Sequence, residues 1–141
     1  MTPKLLLRIA AVAAGLFTLG HTLGGMIFAT SHGPDGEAVL NALGAYRFDI
    51  MGWSRSHLDF YVGEGWYLSV ALAVMVVMCW LLSNAAEESP SLVGRLSLVI
   101  GLFFVASVGL CAAFFFIAPL VFSAVAASSA GVAWWKLRSE G

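Results

Sequence analysis

The chain has 141 residues, of which 60% are hydrophobic and only 11% carry a charged side chain, against about 25% in a soluble domain. With a mean hydropathy of +0.91, so small a chain has too few charges to cover the surface of a soluble fold, and it is far too apolar for disorder. We therefore predict an integral membrane protein. The formal net charge of −1 offers no basic face, which excludes nucleic acid as a partner.

Four apolar segments reach the length of about 20 residues that a helix needs to cross about 30 Å of hydrocarbon. They cover about 5–30, 61–82, 96–116 and 119–137. The last two form one apolar run that Pro119 divides, because proline disfavours helical geometry in the residue before it and is favoured in a first helical turn. We expect a tight hairpin at 117–119; three spans, with a long third helix kinked at the proline, are the alternative. The predicted fold is all-α, a single transmembrane domain over 1–141 built as a four-helix bundle.

The loop 31–60 joins the first two spans. It starts with turn-forming residues at 31–36, and a short amphipathic helix is predicted over 37–46 because apolar residues recur there at helical spacing. Such a helix either covers polar groups of the neighbouring spans or only anchors the connection at the membrane surface, and the sequence leaves both readings open. Its apolar positions are Val39, Leu40, Leu43 and Tyr46, and Arg47, Asp49 and Trp53 follow.

Basic residues beside the spans predict the orientation. Five of the seven lysines and arginines lie on one side of the predicted topology, and only Arg47 and Arg55 lie on the other. By the positive-inside rule, both termini face the cytoplasm of a bacterial inner (plasma) membrane and the 31–60 loop lies outside. The five are Lys4, Arg8, Arg95, Lys136 and Arg138.

The two cysteines are predicted to be free. At about 1.5 Å of rise per residue, Cys79 and Cys111 lie near opposite membrane faces, whereas a disulfide needs Cα atoms about 4.4–6.8 Å apart. The chain also contains no zinc-ligand spacing, phosphate-binding glycine loop or nucleophile elbow. We therefore predict no cofactor and no metal site, although His21 and His57 as ligands of a haem or metal remain a third, weaker option.

The principal candidate site pairs His21 with Glu64. His21 lies about 18 Å into the first span and Glu64 about 5 Å into the second, so both are expected in the outer half of the membrane. Ionisable groups inside a membrane are costly and usually pair or mark a ligand path. Glycines flank both residues, which either permits close helix packing or leaves room for a bound molecule. The ordinary alternative for His21 is an imidazole bonded to a neighbouring backbone or hydroxyl group.

A second set of polar residues is expected to extend this site. If the second helix begins above the membrane, His57, Tyr61 and Glu64 share one face, and Arg55 and Asp59 form an i, i+4 pair. The plainer reading is a surface ion pair worth at most about 1 kcal/mol and a solvated histidine. We assign as candidate ligand-binding residues His57, Tyr61, Arg55, Asp59 and Trp66.

Several short motifs resemble a family of small bacterial four-helix inner-membrane proteins that has no established activity. A fainter similarity is to DoxX-like four-helix proteins and to sterol-isomerase-type bundles. The resemblance spans most of the chain and implies a fold and a location, without a reaction. The motifs are Gly20-His21-Thr22-Leu23-Gly24-Gly25, Met51-Gly52 with Arg55, Asp59-Phe60-Tyr61 with Gly63 and Gly65, and the Phe-rich stretch from Phe114 to Pro119.

Two functions follow as hypotheses. In the first, the outer polar cluster is a pocket for a small lipophilic molecule, with Glu64 and His21 available for acid/base chemistry. In the second, the protein is a non-enzymatic structural or partner-binding bundle that associates with itself or with other proteins in the lipid bilayer. An enclosed cavity that touches both His21 and Glu64 would favour the first.

Overall fold

The computed structural model describes residues 1–138. The first helix, α1, runs over Pro3–Leu19 and continues as a π-helical segment, Gly20–Ile27. Then come helix α2 (Pro34–Ala45), strands β1 (Arg47–Ile50) and β2 (Trp53–Ser56), and helices α3 (His57–Ala85), α4 (Pro90–Phe114) and α5 (Ile117–Arg138).

The all-α, four-helix prediction is confirmed. Within residues 1–138, four helical stretches are long and apolar enough to cross a membrane, as a multi-pass membrane protein requires. The three-span alternative is wrong, because the chain breaks between α4 and α5. The spans are Pro3–Ile27, His57–Ala85, Pro90–Phe114 and Ile117–Arg138.

The predicted position of the hairpin, 117–119, is wrong, because these residues form the first turn of α5 and the break between α4 and α5 lies at 115–116. Phe115 is extended, and its backbone N–H donates to the Cys111 carbonyl at 3.1 Å, which closes the last turn of α4. Pro119 falls in the first turn of α5, where its missing N–H leaves no hydrogen bond unmade. Pro119 is therefore the third residue of the new helix, which begins at Ile117, and the connection itself consists of Phe115 and Phe116.

The described chain consists of two compact units, and the first contains Met1–Thr18 and residues 71–138. This unit is a bundle of α1, the second half of α3, α4 and α5. Small residues allow close helix packing: a Cβ on Gly101 of α4 would lie 3.6 Å from the Gly131 nitrogen of α5. In lipid, such close backbone approach supplies the van der Waals contact that holds helices together. The buried positions of α5 are mostly small: Pro119, Ser123, Ala126, Ala127, Ser129, Ala130, Ala133 and Leu137.

The cysteine prediction is confirmed, since Cys79 and Cys111 are both free and buried. Cys111 Sγ lies 4.0 Å from the Ser123 hydroxyl, a weak polar contact between α4 and α5. In the same unit, Lys4 Nζ lies 3.6 Å from a carboxylate oxygen of Glu87. The start of α1 and the turn after α3 therefore lie at the same end of this bundle, as the predicted topology requires.

The second unit, Leu19–Val70, carries the π-helical segment, α2, the hairpin β1–β2 and the first half of α3. The predicted 31–60 loop is therefore mostly ordered structure. A helix in this loop is confirmed, but it runs over Pro34–Ala45 and not 37–46, and Tyr46, predicted on its apolar face, is the exposed C-cap. A Cβ on Gly44 would lie only 3.3 Å from Leu58 of α3. Leu40 and Leu43 are half-buried, whereas Val39 is exposed and does not belong to the packed face.

The hairpin was not predicted from the sequence. Its strands pair antiparallel from Arg47–Ser56 to Ile50–Trp53. Met51 and Gly52 both have positive φ, as a two-residue type I′ turn requires. The Met51-Gly52 motif is thus a turn, and the glycine is the signal that could have indicated it.

Candidate functional site

His21 lies in the π-helical segment and is bonded to α3. Its Nε2–H donates to the Gly65 carbonyl at 2.9 Å. One turn further along α3, the Ser69 hydroxyl accepts from Thr22 Oγ1 at 3.0 Å and donates to the same Gly65 carbonyl at 3.3 Å. These side chains satisfy one another between two helices, which is the structural alternative considered for His21.

Gly65 lies against Met26 of the π-helical segment. A Cβ at Gly65 would overlap Met26 Sδ and would lie 2.8 Å from Met26 Cε. A side chain at Gly65 would therefore displace the end of the flexible Met26 side chain. The other glycines around the candidate site behave differently. Nothing in the described chain comes within 4 Å of a Cβ built on Gly20, Gly24 or Gly63.

The predicted pairing of His21 with Glu64 is not formed. Glu64 is exposed, and within residues 1–138 it makes neither a hydrogen bond nor an ion pair. Residue count predicts similar depths for the two residues, but His21 bonds to the backbone carbonyl of Gly65, whereas the Glu64 side chain projects from α3 to an exposed position. Membrane depth is readable from residue count, whereas rotation about the helix axis depends on packing.

Ser56 and Asp59 form a capping box at the start of α3. The Ser56 N–H donates to Asp59 Oδ2 at 2.8 Å, and the Asp59 N–H donates to Ser56 Oγ at 3.1 Å. Two backbone donors that the first helical turn leaves unpaired are thereby satisfied. This explains why α3 begins at His57, four residues before the predicted 61. The Ser-x-x-Asp spacing before an apolar run was the available signal.

Arg55 and Asp59 are not an i, i+4 pair on one helix, because Arg55 lies on β2, and no ion pair within 4 Å joins them, although the Arg55 charge acts on Asp59. Asp59 instead has Arg47 of β1 as its ion-pair partner, with Nη1 3.7 Å from Oδ2. The Arg55 guanidinium lies 5.1 Å from the centre of the Trp53 ring, and its Nη1 donates to the Ser54 carbonyl at 2.9 Å. Strand β2 thus holds Arg55 in place beside α3.

His57 belongs to an aromatic cluster. Its ring lies 5.0 Å from that of Phe48 and is stacked on Tyr46 at 6.1 Å, while Phe48 is stacked on Phe60 at 6.1 Å. These contacts pack the end of α2 and strand β1 against the first turn of α3. His57 therefore packs against aromatic rings while it stays exposed, as the solvated-histidine reading expected, and it does not line the groove described below.

A shallow groove of about 280 Å³ follows one face of α3. Phe60, Gly63, Glu64 and Tyr67 form this face at i, i+3, i+4 and i+7, and Asp59 and Arg55 border it. We call this surface the α3 groove. The sequence indicated Arg55, Asp59 and Glu64, and Gly63 as a flanking glycine that could leave room for a ligand. Phe60 and Tyr67 were missed, because the face was extended from Glu64 toward Tyr61 and His57.

Two candidate residues lie outside the α3 groove. Tyr61 and Trp66 are exposed and do not line it. His21 does not line it either, so the groove does not join His21 to Glu64. Among the residues that the structure describes, no three His, Cys, Asp or Glu side chains lie close enough together to hold a metal ion.

Comparison with known proteins gives no relative: no family model, curated protein or solved structure matches the chain.

Proposed function

We propose that the chain is a multi-pass protein of the bacterial inner membrane, with both termini in the cytoplasm, that binds a small lipophilic molecule in the α3 groove on the outer side. The membrane location rests on the four apolar helices. The orientation rests on the excess of basic residues at the span ends opposite to the 31–60 loop. The resemblance to small bacterial four-helix proteins is consistent with this location.

The observation that carries the proposal is the exposed, unpaired carboxylate of Glu64 in an otherwise largely apolar groove. The rings of Phe60 and Tyr67 line the groove with apolar surface, and Gly63 has no side chain to fill the space between them. A concave, mostly apolar surface with a few convergent polar groups is the usual form of a small-molecule site. A charged group within a membrane-spanning helix is expensive unless it faces a partner, a ligand or water.

The geometry supports binding in preference to acid/base catalysis. A proton relay from Glu64 to His21 would need the two groups within hydrogen-bond reach, whereas His21 Nε2 is occupied by the Gly65 carbonyl. His21 therefore acts as a positioning residue that holds the π-helical segment against α3. Glu64 is the residue that would contact the ligand.

The test compares Gly63→Leu with Gly109→Leu, after purification in detergent and extraction of retained lipophilic molecules for mass spectrometry. Both glycines are helical, and both have open space where a side chain would project, but only Gly63 lines the α3 groove. We expect wild type and Gly109→Leu to retain about one lipophilic molecule per chain. Under the same conditions, Gly63→Leu should retain none. Equal retention by all three proteins would contradict the proposal.

The second candidate is a non-enzymatic structural or partner-binding bundle, and the bond from His21 to a backbone carbonyl favours it. In that case the polar groups of the second unit only hold helices together. Native mass spectrometry of the detergent-solubilised protein separates the two candidates. A stable homo-oligomer without any retained lipophile would support the bundle.

A further inference from the structure

Two oppositely charged groups that line the α3 groove, Arg55 and Glu64, form no ion pair within 4 Å in residues 1–138, although the Arg55 charge also acts on Asp59. Asp59 is already compensated by Arg47 and by the Ser56 N–H. Glu64 has no such partner. A ligand in the groove therefore meets one uncompensated carboxylate.

Arg55 supplies the opposite charge. Its guanidinium is held by the Trp53 ring and by one hydrogen bond from Nη1 to the Ser54 carbonyl. The Nε and Nη2 donors find no acceptor in the part of the chain that the structure describes. A planar guanidinium fixed in this way, with N–H groups to spare, is well suited to a phosphate group.

The aromatic residues favour an ammonium group next to Glu64. Phe60 precedes Glu64 by one helical turn, and Tyr67 follows it by three residues, so both rings border the same part of the groove. An ammonium group gains from a carboxylate and from aromatic faces together. Val70, three residues beyond Tyr67, is 62% exposed and extends an apolar surface along the same helix for a hydrocarbon chain.

We propose that the α3 groove binds the headgroup of a zwitterionic amphiphile that carries a phosphate and an ammonium group, as in a phosphoethanolamine lipid. The phosphate lies at Arg55, the ammonium at Glu64 between Phe60 and Tyr67, and the acyl chains follow the exposed surface of α3. This inference rests on the proposed function and specifies its ligand. A ligand of a single charge would engage only one of the two groups, Arg55 or Glu64.

The experiment uses the whole protein in detergent micelles with three lipids that share dioleoyl chains: phosphatidylethanolamine, anionic phosphatidylglycerol and a cationic trimethylammonium-propane lipid. Native mass spectrometry measures how much of each remains bound. We expect at least about tenfold more retention of the zwitterion than of either singly charged lipid, which corresponds to about 1.4 kcal/mol. Equal retention of the zwitterion and either other lipid would overturn the inference.

Two charge-removing variants separate the two contacts. Glu64→Gln is expected to lose the preference for phosphatidylethanolamine over phosphatidylglycerol, and Arg55→Gln the preference over the cationic lipid. Glu88→Gln and Arg95→Gln are matched controls, because both residues are exposed and lie outside the groove. Unchanged preferences in Glu64→Gln would refute the ammonium contact.

Two further arms identify the source of the ligand and separate failure of the headgroup inference from failure of the proposed function. Excess water-soluble phosphoethanolamine should not displace the lipid; displacement would assign the groove to a free solute and overturn the lipid assignment. If all three lipids bind equally to wild type but are lost from Gly63→Leu, only the headgroup inference fails. If Gly63→Leu retains every lipid as wild type does, the proposed function fails as well.

Discussion

The capping box of α3 supports the edge of the α3 groove, and its removal has a calculable effect. Ser56→Ala removes the acceptor of the Asp59 N–H, and loss of an N-cap costs about 1 kcal/mol. Asp59→Ala leaves the N–H of Ser56 without its acceptor, and Ser56 is only 2% exposed, so a buried donor is left unsatisfied. Loss of the half-exposed ion pair with Arg47 adds little, because water screens it. We therefore expect Asp59→Ala to destabilise the start of α3 more than Ser56→Ala.

Hydrogen exchange in lipid nanodiscs measures this effect locally. A loss of about 1–2 kcal/mol should speed exchange of the amides in 55–62 by about 5–30-fold. The double variant should cost less than the sum of the single variants, by about 0.5 kcal/mol or more, because the two residues share one pair of bonds. Ser91→Ala is the control, since that serine is exposed in the first turn of α4. Unchanged exchange in Ser56→Ala, or strictly additive losses, would refute the capping-box reasoning.

Three further predictions test the topology, the polar contacts and the packing. Asn41→Cys, on the exposed face of α2, should react with an impermeant thiol reagent from the outside of intact cells; reaction only after the cytoplasmic face is opened would reverse the orientation. His21→Phe should lower stability by about 1–3 kcal/mol through loss of its hydrogen bond. The stability losses of His21→Phe and Glu64→Gln should be additive within about 0.5 kcal/mol, as measured by thermal denaturation in detergent. A larger coupling would show that His21 and Glu64 interact directly. Gly101→Leu should lower the melting temperature because the new side chain meets the backbone of α5, whereas Gly109→Leu should not; equal melting temperatures would contradict the close packing of α4 and α5.

The local geometry at residue 36 makes this position unsuitable for a labelling cysteine. By sequence, Gly36 is an attractive place for a labelling cysteine, because it lies in a polar turn of the predicted outer loop. A Cβ there would overlap the Ser31 carbonyl oxygen, so any side chain would disturb the start of α2. Asn41 avoids this problem.

The sequence by itself determined the number of spans and the nature of the cysteines. Span length follows from the apolar thickness of a bilayer, and Pro119 separates α4 from α5 because a missing N–H is best tolerated in the first helical turn. These properties depend on composition and on local backbone chemistry. No contact between distant residues is needed to predict them.

Only the tertiary structure decided the partners of the polar residues. His21 bonds to the carbonyl of Gly65 and not to Glu64, whose side chain is exposed. Asp59 pairs with Arg47, twelve residues away, because the hairpin folds back against α3. Side-chain pairing depends on helix rotation and strand register, and packing between segments sets both of them. A residue count predicts depth in a membrane, but it gives no information about helix rotation or strand register.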